Sequence, residues 1–117
     1  MRLNHLHLTV TDVPAAKQFL QTYFGLRAPD GGKANPNFDA LIDESGLVLT
    51  LMQAKAGSEM RYPGHFHIGF IREYEEEVNA LNARLKADGY AVEPPVRAHG
   101  WTFYVEAPGG FTVEVLC

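Results

Sequence analysis

The chain has 117 residues, 46% of them hydrophobic and 21% charged, which is the composition of one small globular domain. Its net charge of −4, its scattered Lys and Arg residues and the lack of a long apolar stretch argue against nucleic acid and against a membrane as partners. The single cysteine, Cys117, excludes an intramolecular disulfide and a thiolate metal cluster, and it suits a cytoplasmic protein.

The first half of the chain predicts a strand, a helix and two further strands. Residues 3–10 alternate between two faces, as a strand does. Asp12 is a typical helix N-cap, and the helix predicted at Ala15–Phe24 ends at Gly25. After a loop rich in Gly, Pro and Asn, the pattern predicts strands at 38–42 and 47–52.

The second half predicts the same order of elements with one strand more. A strand at 64–70 is followed by a helix at 73–88, which Gly89 closes. Three more strands are predicted, at residues 90–92, 102–106 and 111–116. Two prolines interrupt the chain after the first of them.

The two halves correspond at four pairs of positions. The pairs are His5 with His65, His7 with His67, Gly25 with Gly89, and Thr50 with Glu114. Each half alone is too small to bury its sheet. We therefore predict an α+β fold in which two βαβββ modules form one cup-shaped mixed sheet, in a single domain of residues 1–117. Module one is residues 1–54, the connection 55–63 and module two 64–117.

The four histidines of the two His-x-His pairs, together with Glu114, are the strongest candidates for chemistry. Residues i and i+2 of a strand share a face, so both imidazoles of each pair point the same way. If the modules pack about a pseudo-twofold axis, all four imidazoles approach one concavity. Glu114 lies mid-strand between two valines and is costly to bury without a partner. Imidazoles with a carboxylate suit one divalent ion, Fe, Mn, Zn or Ni, and leave open positions for substrate.

Aromatic residues are candidates for the wall of a pocket. Trp101 and Phe103, with Phe66 and Phe38, would favour a small-molecule substrate with an aromatic or apolar body. Tyr104 offers a hydroxyl that can donate a proton or orient a substrate.

Three segments carry a family resemblance that spans nearly the whole chain. Residues 3–12 with Phe19 and Gly25 resemble an opening strand and helix, and residues 64–69 resemble the opening of a second module. Residues 103–114 are similar to a closing pattern Phe-Tyr-x-x-Asp-Pro-x-Gly-x-x-x-Glu. The chain thus resembles the vicinal oxygen chelate superfamily, which contains glyoxalases, fosfomycin-resistance enzymes, bleomycin-binding proteins and extradiol dioxygenases.

The resemblance implies a metal-dependent enzyme whose ligands are His5, His65 and Glu114. The family's shared chemistry is the chelation of two vicinal substrate oxygens by an open metal ion that acts as a Lewis acid. His7 or His67 would then be a base or substrate contact beside the metal, and Tyr104 a proton donor.

Departures from the closing pattern point to particular reactions. Ala107 replaces the usual Asp, and a small residue is tolerated there among extradiol dioxygenases. Those enzymes place an acid/base histidine upstream of the tyrosine, for which His99 is the candidate, although it lies closer to Tyr104 than their pattern asks. Arg97 and the residues after it resemble the fosfomycin-resistance glutathione transferases, and we take His99 and Arg97 as candidate substrate contacts.

Two alternatives to the dioxygenase reading stay open. One is a glyoxalase-like lyase or a fosfomycin-type thiol transferase. The other is a drug-binding protein of the bleomycin-resistance type, whose members lack the metal ligands. Family members with two modules usually form homodimers, which we expect here as well.

Overall fold

A computed structural model describes residues Met1–Cys117 and confirms the predicted α+β fold. Its elements in chain order are β1 His5–Val10, α1 Val13–Phe24, β2 Phe38–Ile42, β3 Val48–Gln53, β4 His67–Ile71, α2 Glu75–Ala87, β5 Val96–Arg97, β6 Trp101–Ala107 and β7 Phe111–Leu116. The chain forms two compact units, Met1–Arg61 with Pro108–Gly110, and Tyr62–Ala107 with Phe111–Cys117. The module bounds within one domain stay a prediction. Neither helix is long and apolar enough to cross a membrane.

The first unit has a three-stranded sheet in the order β1-β3-β2, with β3 parallel to β1 and antiparallel to β2. Helix α1 begins where the Asp12 carboxylate accepts a hydrogen bond from the Ala15 amide at 3.0 Å, as its N-cap position predicts. It ends at Gly25, whose φ of 69° is left-handed. In place of a fourth strand, Arg27 and Ile42 form a single bridge, so this unit is a shortened copy of the predicted module.

The second unit has a four-stranded sheet in the order β4-β7-β6-β5. Helix α2 begins after Tyr74, whose amide donates to the Glu77 carboxylate at 3.1 Å. Three acidic residues in its first turn and two basic residues in its last turn complement the helix dipole. Val78, Leu81 and Leu85 form its buried side.

The strand predicted at 90–92 is absent, and the chain pairs only later, as β5. Pro94 and Pro95 have no amide hydrogen to give to a ladder. The Glu93 carbonyl is already taken by the Asn82 side chain, at 2.8 Å. Pairing therefore starts after the prolines, where Val96 lies opposite Thr102.

The repeat holds, but its histidines correspond differently from the prediction. His5 lies eight residues before Val13, the first residue of α1, and His67 lies eight residues before Glu75, the first of α2. The strand ladders give the same correspondence. Thr50 pairs with His7 and Glu114 pairs with Gly69, so His7 corresponds to Gly69, and the residues two positions earlier, His5 and His67, correspond to each other. Thr50 and Glu114 thus correspond as predicted, whereas the counterpart of His5 is His67 and not His65.

An ion pair between Lys17 and Asp39 joins α1 to β2 in the first unit. The Lys17 ammonium lies 2.7 Å from Asp39 Oδ2, and the two side chains are 17% and 12% exposed. Burial by itself raises the pKa of Asp39, but Lys17 and the backbone amide of Ala40 outweigh it and leave the pKa below its ordinary value.

We expect Asp39→Ala to lower the free energy of unfolding by about 2 kcal/mol, because it leaves a mostly buried ammonium unpaired. The stabilisation is present above the unfolded-state pKa near 4, and it is lost as the pH falls through the lower folded-state pKa. Urea titrations of wild type and Asp39→Ala should therefore show a much smaller difference in the free energy of unfolding at pH 3 than at pH 7. The exposed Asp30→Ala is the control, with an expected change below about 0.5 kcal/mol; an equal loss at both pH values would contradict the prediction.

Candidate functional site

Glu114 lies at the centre of the second sheet. Its strand, β7, runs between β4 and β6, where its neighbours across the ladders are Gly69 and Tyr104. Alternation sends Val113 and Val115 into the core under α2 and turns Glu114 to the other face. The residue is nonetheless only 4% exposed, so this carboxylate needs partners.

Three side chains hydrogen-bond the Glu114 carboxylate, and the imidazole of His67 lies beside it. Oε1 accepts a bond from the Thr102 hydroxyl at 2.7 Å and lies 2.6 Å from His99 Nε2, and Oε2 lies 3.2 Å from His67 Nε2. The Tyr104 hydroxyl also bonds the carboxylate. Burial by itself raises the pKa of Glu114, but the bonds from Thr102, Tyr104 and His99 outweigh it and lower the pKa below its ordinary value. Glu114 is therefore a carboxylate anion at neutral pH.

The hydrogen bonds of His67 decide which of its ring nitrogens carries the proton. Nδ1 lies 3.0 Å from the backbone carbonyl oxygen of His65, which can only accept, so Nδ1 carries the hydrogen. In the neutral ring, Nε2 then presents a lone pair toward Glu114 Oε2. Two such atoms 3.2 Å apart repel each other unless a proton or a metal ion lies between them.

The distance between the two atoms matches a pair of ligands on one divalent metal ion. Bonds of about 2.1 Å meeting at roughly 90–110° put neighbouring ligand atoms about 3.0–3.4 Å apart, which matches the distance between His67 Nε2 and Glu114 Oε2. The pair offers two ligands only, since no group of three or more His, Cys, Asp or Glu side chains is arranged to hold a metal.

The structure does not bring the side chain of His65 to Glu114. His65 is exposed and lies in a turn before β4, and its contribution is the carbonyl that bonds His67. Sequence pattern alone could not separate the two, because residues i and i+2 of a His-x-His pair share a face.

The two histidines of β1 belong to the first unit, and both side chains are exposed. His5 Nδ1 lies 3.1 Å from the side-chain oxygen of Asn4, which leaves Nε2 with a lone pair, as in His67. His7 Nδ1 lies 2.8 Å from the Thr50 hydroxyl, and its ring stacks on Phe38. The first unit has Thr50, and not a carboxylate, at the position that corresponds to Glu114.

The predicted substrate contacts divide into two groups. His99 reaches Glu114, whereas Phe103 is buried in the core on the opposite face of β6. Trp101 donates to the Asn79 side chain at 2.8 Å, and the Arg97 guanidinium lies 5.2 Å from the centre of the Trp101 ring and pairs with Glu75. Trp101 and Arg97 therefore attach the β5–β6 hairpin to α2.

Sequence reasoning missed Thr102, which is 1% exposed and bonds Glu114. The sequence pattern could have identified it. Thr102 lies two residues before Tyr104 on one strand, so the two side chains share a face. Tyr104 itself is 44% exposed, and desolvation together with the bond to Glu114 and its charge raises the pKa of Tyr104. Its hydroxyl thus stays protonated at neutral pH and donates its hydrogen to the Glu114 carboxylate.

Comparisons with known proteins agree on one family. A model described as the glyoxalase/bleomycin resistance protein/dioxygenase superfamily matches residues 2–115. A solved structure of a possible glyoxalase from Bacillus cereus is 51% identical, with a TM-score of 0.91, and the match covers 100% of this chain and 99% of that one. No curated protein matches the chain.

More distant solved structures share the fold. A genomically encoded fosfomycin resistance protein, FosX, from Listeria monocytogenes, complexed with Mn(II) and sulfate, is 23% identical with a TM-score of 0.77, and the match covers 99% of this chain and 89% of that one. Lactoylglutathione lyase from Agrobacterium tumefaciens is 23% identical with a TM-score of 0.74, and the match covers 98% of this chain and 92% of that one.

Proposed function

The chain belongs to the glyoxalase/bleomycin resistance protein/dioxygenase superfamily, and from this premise we propose that it is a metal-dependent enzyme acting on a small substrate with two vicinal oxygens. The observation that carries the proposal is the facing pair of His67 Nε2 and Glu114 Oε2 at 3.2 Å, on a buried carboxylate. This arrangement supplies two ligands of one divalent ion.

The ligand set that we propose differs by one residue from the set expected from sequence. Glu114 is retained, and His67 takes the place of His65, because the register makes His67 the counterpart of His5 and its Nε2 carries the lone pair. His5 has a matching hydrogen-bond pattern, but it belongs to the first unit, and its part in the ligand set stays an expectation of the family resemblance. An Fe, Mn, Zn or Ni ion suits two imidazoles and one carboxylate.

The side chains around Glu114 have defined tasks in this proposal. When bound, the metal ion would act as a Lewis acid toward the two substrate oxygens. Tyr104 keeps its proton at neutral pH and is exposed, so its hydroxyl would turn from Glu114 to donate a hydrogen bond, or that proton, to a bound substrate oxygen. Its ring meets the His67 imidazole edge-on, with 5.5 Å between centroids, which fixes its direction.

The proposal is tested by loading the purified chain with Mn(II), Fe(II), Ni(II) or Zn(II) and measuring bound metal after gel filtration. Mn(II) is a suitable first probe because FosX was solved with it. We expect one ion per chain. A chain that holds none of the four would remove the enzyme proposal and leave a small-molecule binding protein in its place.

Among reactions, the closing pattern with Ala107 favours an extradiol-type dioxygenase. Chain loaded anaerobically with Fe(II) should consume oxygen when it is given catechols. If oxygen uptake is absent across a broad catechol panel, while the hemithioacetal of methylglyoxal and glutathione is turned over, the chain is a glyoxalase-like lyase. A chain that instead joins glutathione to fosfomycin is a thiol transferase.

We also propose a homodimer. Phe38, Met52, Ile71 and Val96 are large apolar residues of the two sheets that are exposed in the single chain. Sedimentation of the metal-loaded protein at micromolar concentration checks this point, and a pure monomer would contradict it.

A further inference from the structure

The hairpin between β5 and β6 carries His99 at its tip. Residues 98–100 turn the chain, and the Ala98 amide donates to the Gly100 carbonyl at 2.9 Å. Gly100 passes so close to the end of β7 that a Cβ there would lie 2.8 Å from the Cys117 carbonyl oxygen. Only glycine allows this approach, which brings the hairpin tip to the strand that holds Glu114.

The hairpin is fixed at both of its ends. Trp101 exchanges two backbone hydrogen bonds with Cys117, at 2.9 and 3.1 Å, and its indole N–H donates to Asn79 on α2. Across from it, Arg97 pairs with Glu75 of the same helix and lies over the Trp101 ring. The side chain of His99 is 56% exposed, yet the backbone that carries it is held in place.

His99 and Thr102 together occupy one oxygen of Glu114. The carboxylate is ionised and can only accept, so His99 Nε2 carries a hydrogen and donates it to Oε1 across 2.6 Å. Thr102 donates to the same atom across 2.7 Å. Each carboxylate oxygen accepts about two bonds, so His99 and Thr102 fill the capacity of Oε1. Oε2, which faces His67, keeps acceptor capacity for a metal ion even though the Tyr104 hydroxyl also bonds the carboxylate.

We propose that His99 is a positioning residue that holds Oε1 of Glu114 and makes the carboxylate a ligand through Oε2 alone. The inference rests on the proposed function. A carboxylate that binds through one oxygen uses one coordination position instead of two, and the spared position is available to a substrate that binds through two oxygens. His99 itself touches neither metal nor substrate in this role.

The test compares His99→Ala with His99→Gln, whose amide can still donate to Oε1. Mn(II) affinity is measured by titration, and the EPR spectrum of bound Mn(II) reports the coordination of the ion. We expect His99→Ala to weaken Mn(II) binding about 10–100-fold, the usual cost of removing a group that orients a ligand, and to change the spectrum. We expect His99→Gln to stay within about threefold of wild type with the wild-type spectrum.

A readout without metal keeps the inference separable from the proposed function. In metal-free protein, ¹⁵N NMR should show His99 protonated at Nε2, and Glu114→Gln should shift that resonance. If wild type binds no metal, the proposed function fails, while an unchanged His99 resonance in Glu114→Gln would overturn the contact itself. If wild type binds Mn(II) but His99→Ala has wild-type affinity and spectrum, or His99→Gln fails as badly as His99→Ala, the positioning role is wrong and the proposed function stands.

Discussion

Glu114→Gln should abolish stoichiometric metal binding and leave a folded protein. The change keeps the size of the side chain and removes the charge of a carboxylate that is 4% exposed. A neutral amide is a poor ligand for Fe, Mn, Zn or Ni, and the amide nitrogen has no lone pair to offer. We expect Mn(II) affinity to fall by more than about 100-fold, beyond the 10–100-fold cost of losing a supporting group.

The measurement is a Mn(II) titration followed by the EPR signal of the free ion, with thermal unfolding of the metal-free proteins alongside. Glu106→Gln is the matched control, since Glu106 lies two residues from Tyr104 on β6 and is an exposed partner of Thr112. It should bind Mn(II) as wild type does. Retention of Mn(II) by a folded Glu114→Gln protein would remove Glu114 from the ligand set.

His67→Ala and His65→Ala should differ by at least about 100-fold in Mn(II) affinity, with His67→Ala the weaker binder. His67 presents its Nε2 lone pair 3.2 Å from Glu114 Oε2, and alanine removes that ligand. His65→Ala keeps the backbone carbonyl that fixes the His67 ring, so we expect it to stay within about threefold of wild type. The two variants lose the same imidazole from positions two residues apart, which makes each the control for the other.

The outcome decides between two readings of the chain. If only His65→Ala loses Mn(II) affinity, the ligand set expected from the family resemblance is restored. That result would also mean that β4 shifts when metal binds. A loss in both variants would mean that the turn before β4 is part of the site. Circular dichroism of both proteins without metal separates either result from unfolding.

Local signals predicted most of the secondary structure. The Asp12 cap and the Gly25 stop lie where the sequence places them, and strands 38–42 and 111–116 have the predicted bounds. These features depend on residues close together in the chain, such as a side chain that bonds an amide three residues later. The strand at 90–92 was predicted wrongly because the long-range bond from Asn82 to Glu93 has no local signal.

The sequence by itself determined that an internal repeat exists, that the fold is α+β, and that Glu114 lies in a strand at the position matching Thr50. Only the tertiary structure decided which imidazoles meet that carboxylate. A two-residue period gives the face of a side chain but not its position along the neighbouring strand, so His65 and His67 were equivalent until the β4–β7 ladder set Gly69 against Glu114. His99 and Thr102 joined them through a hairpin and an antiparallel pair, which bring together residues distant in sequence.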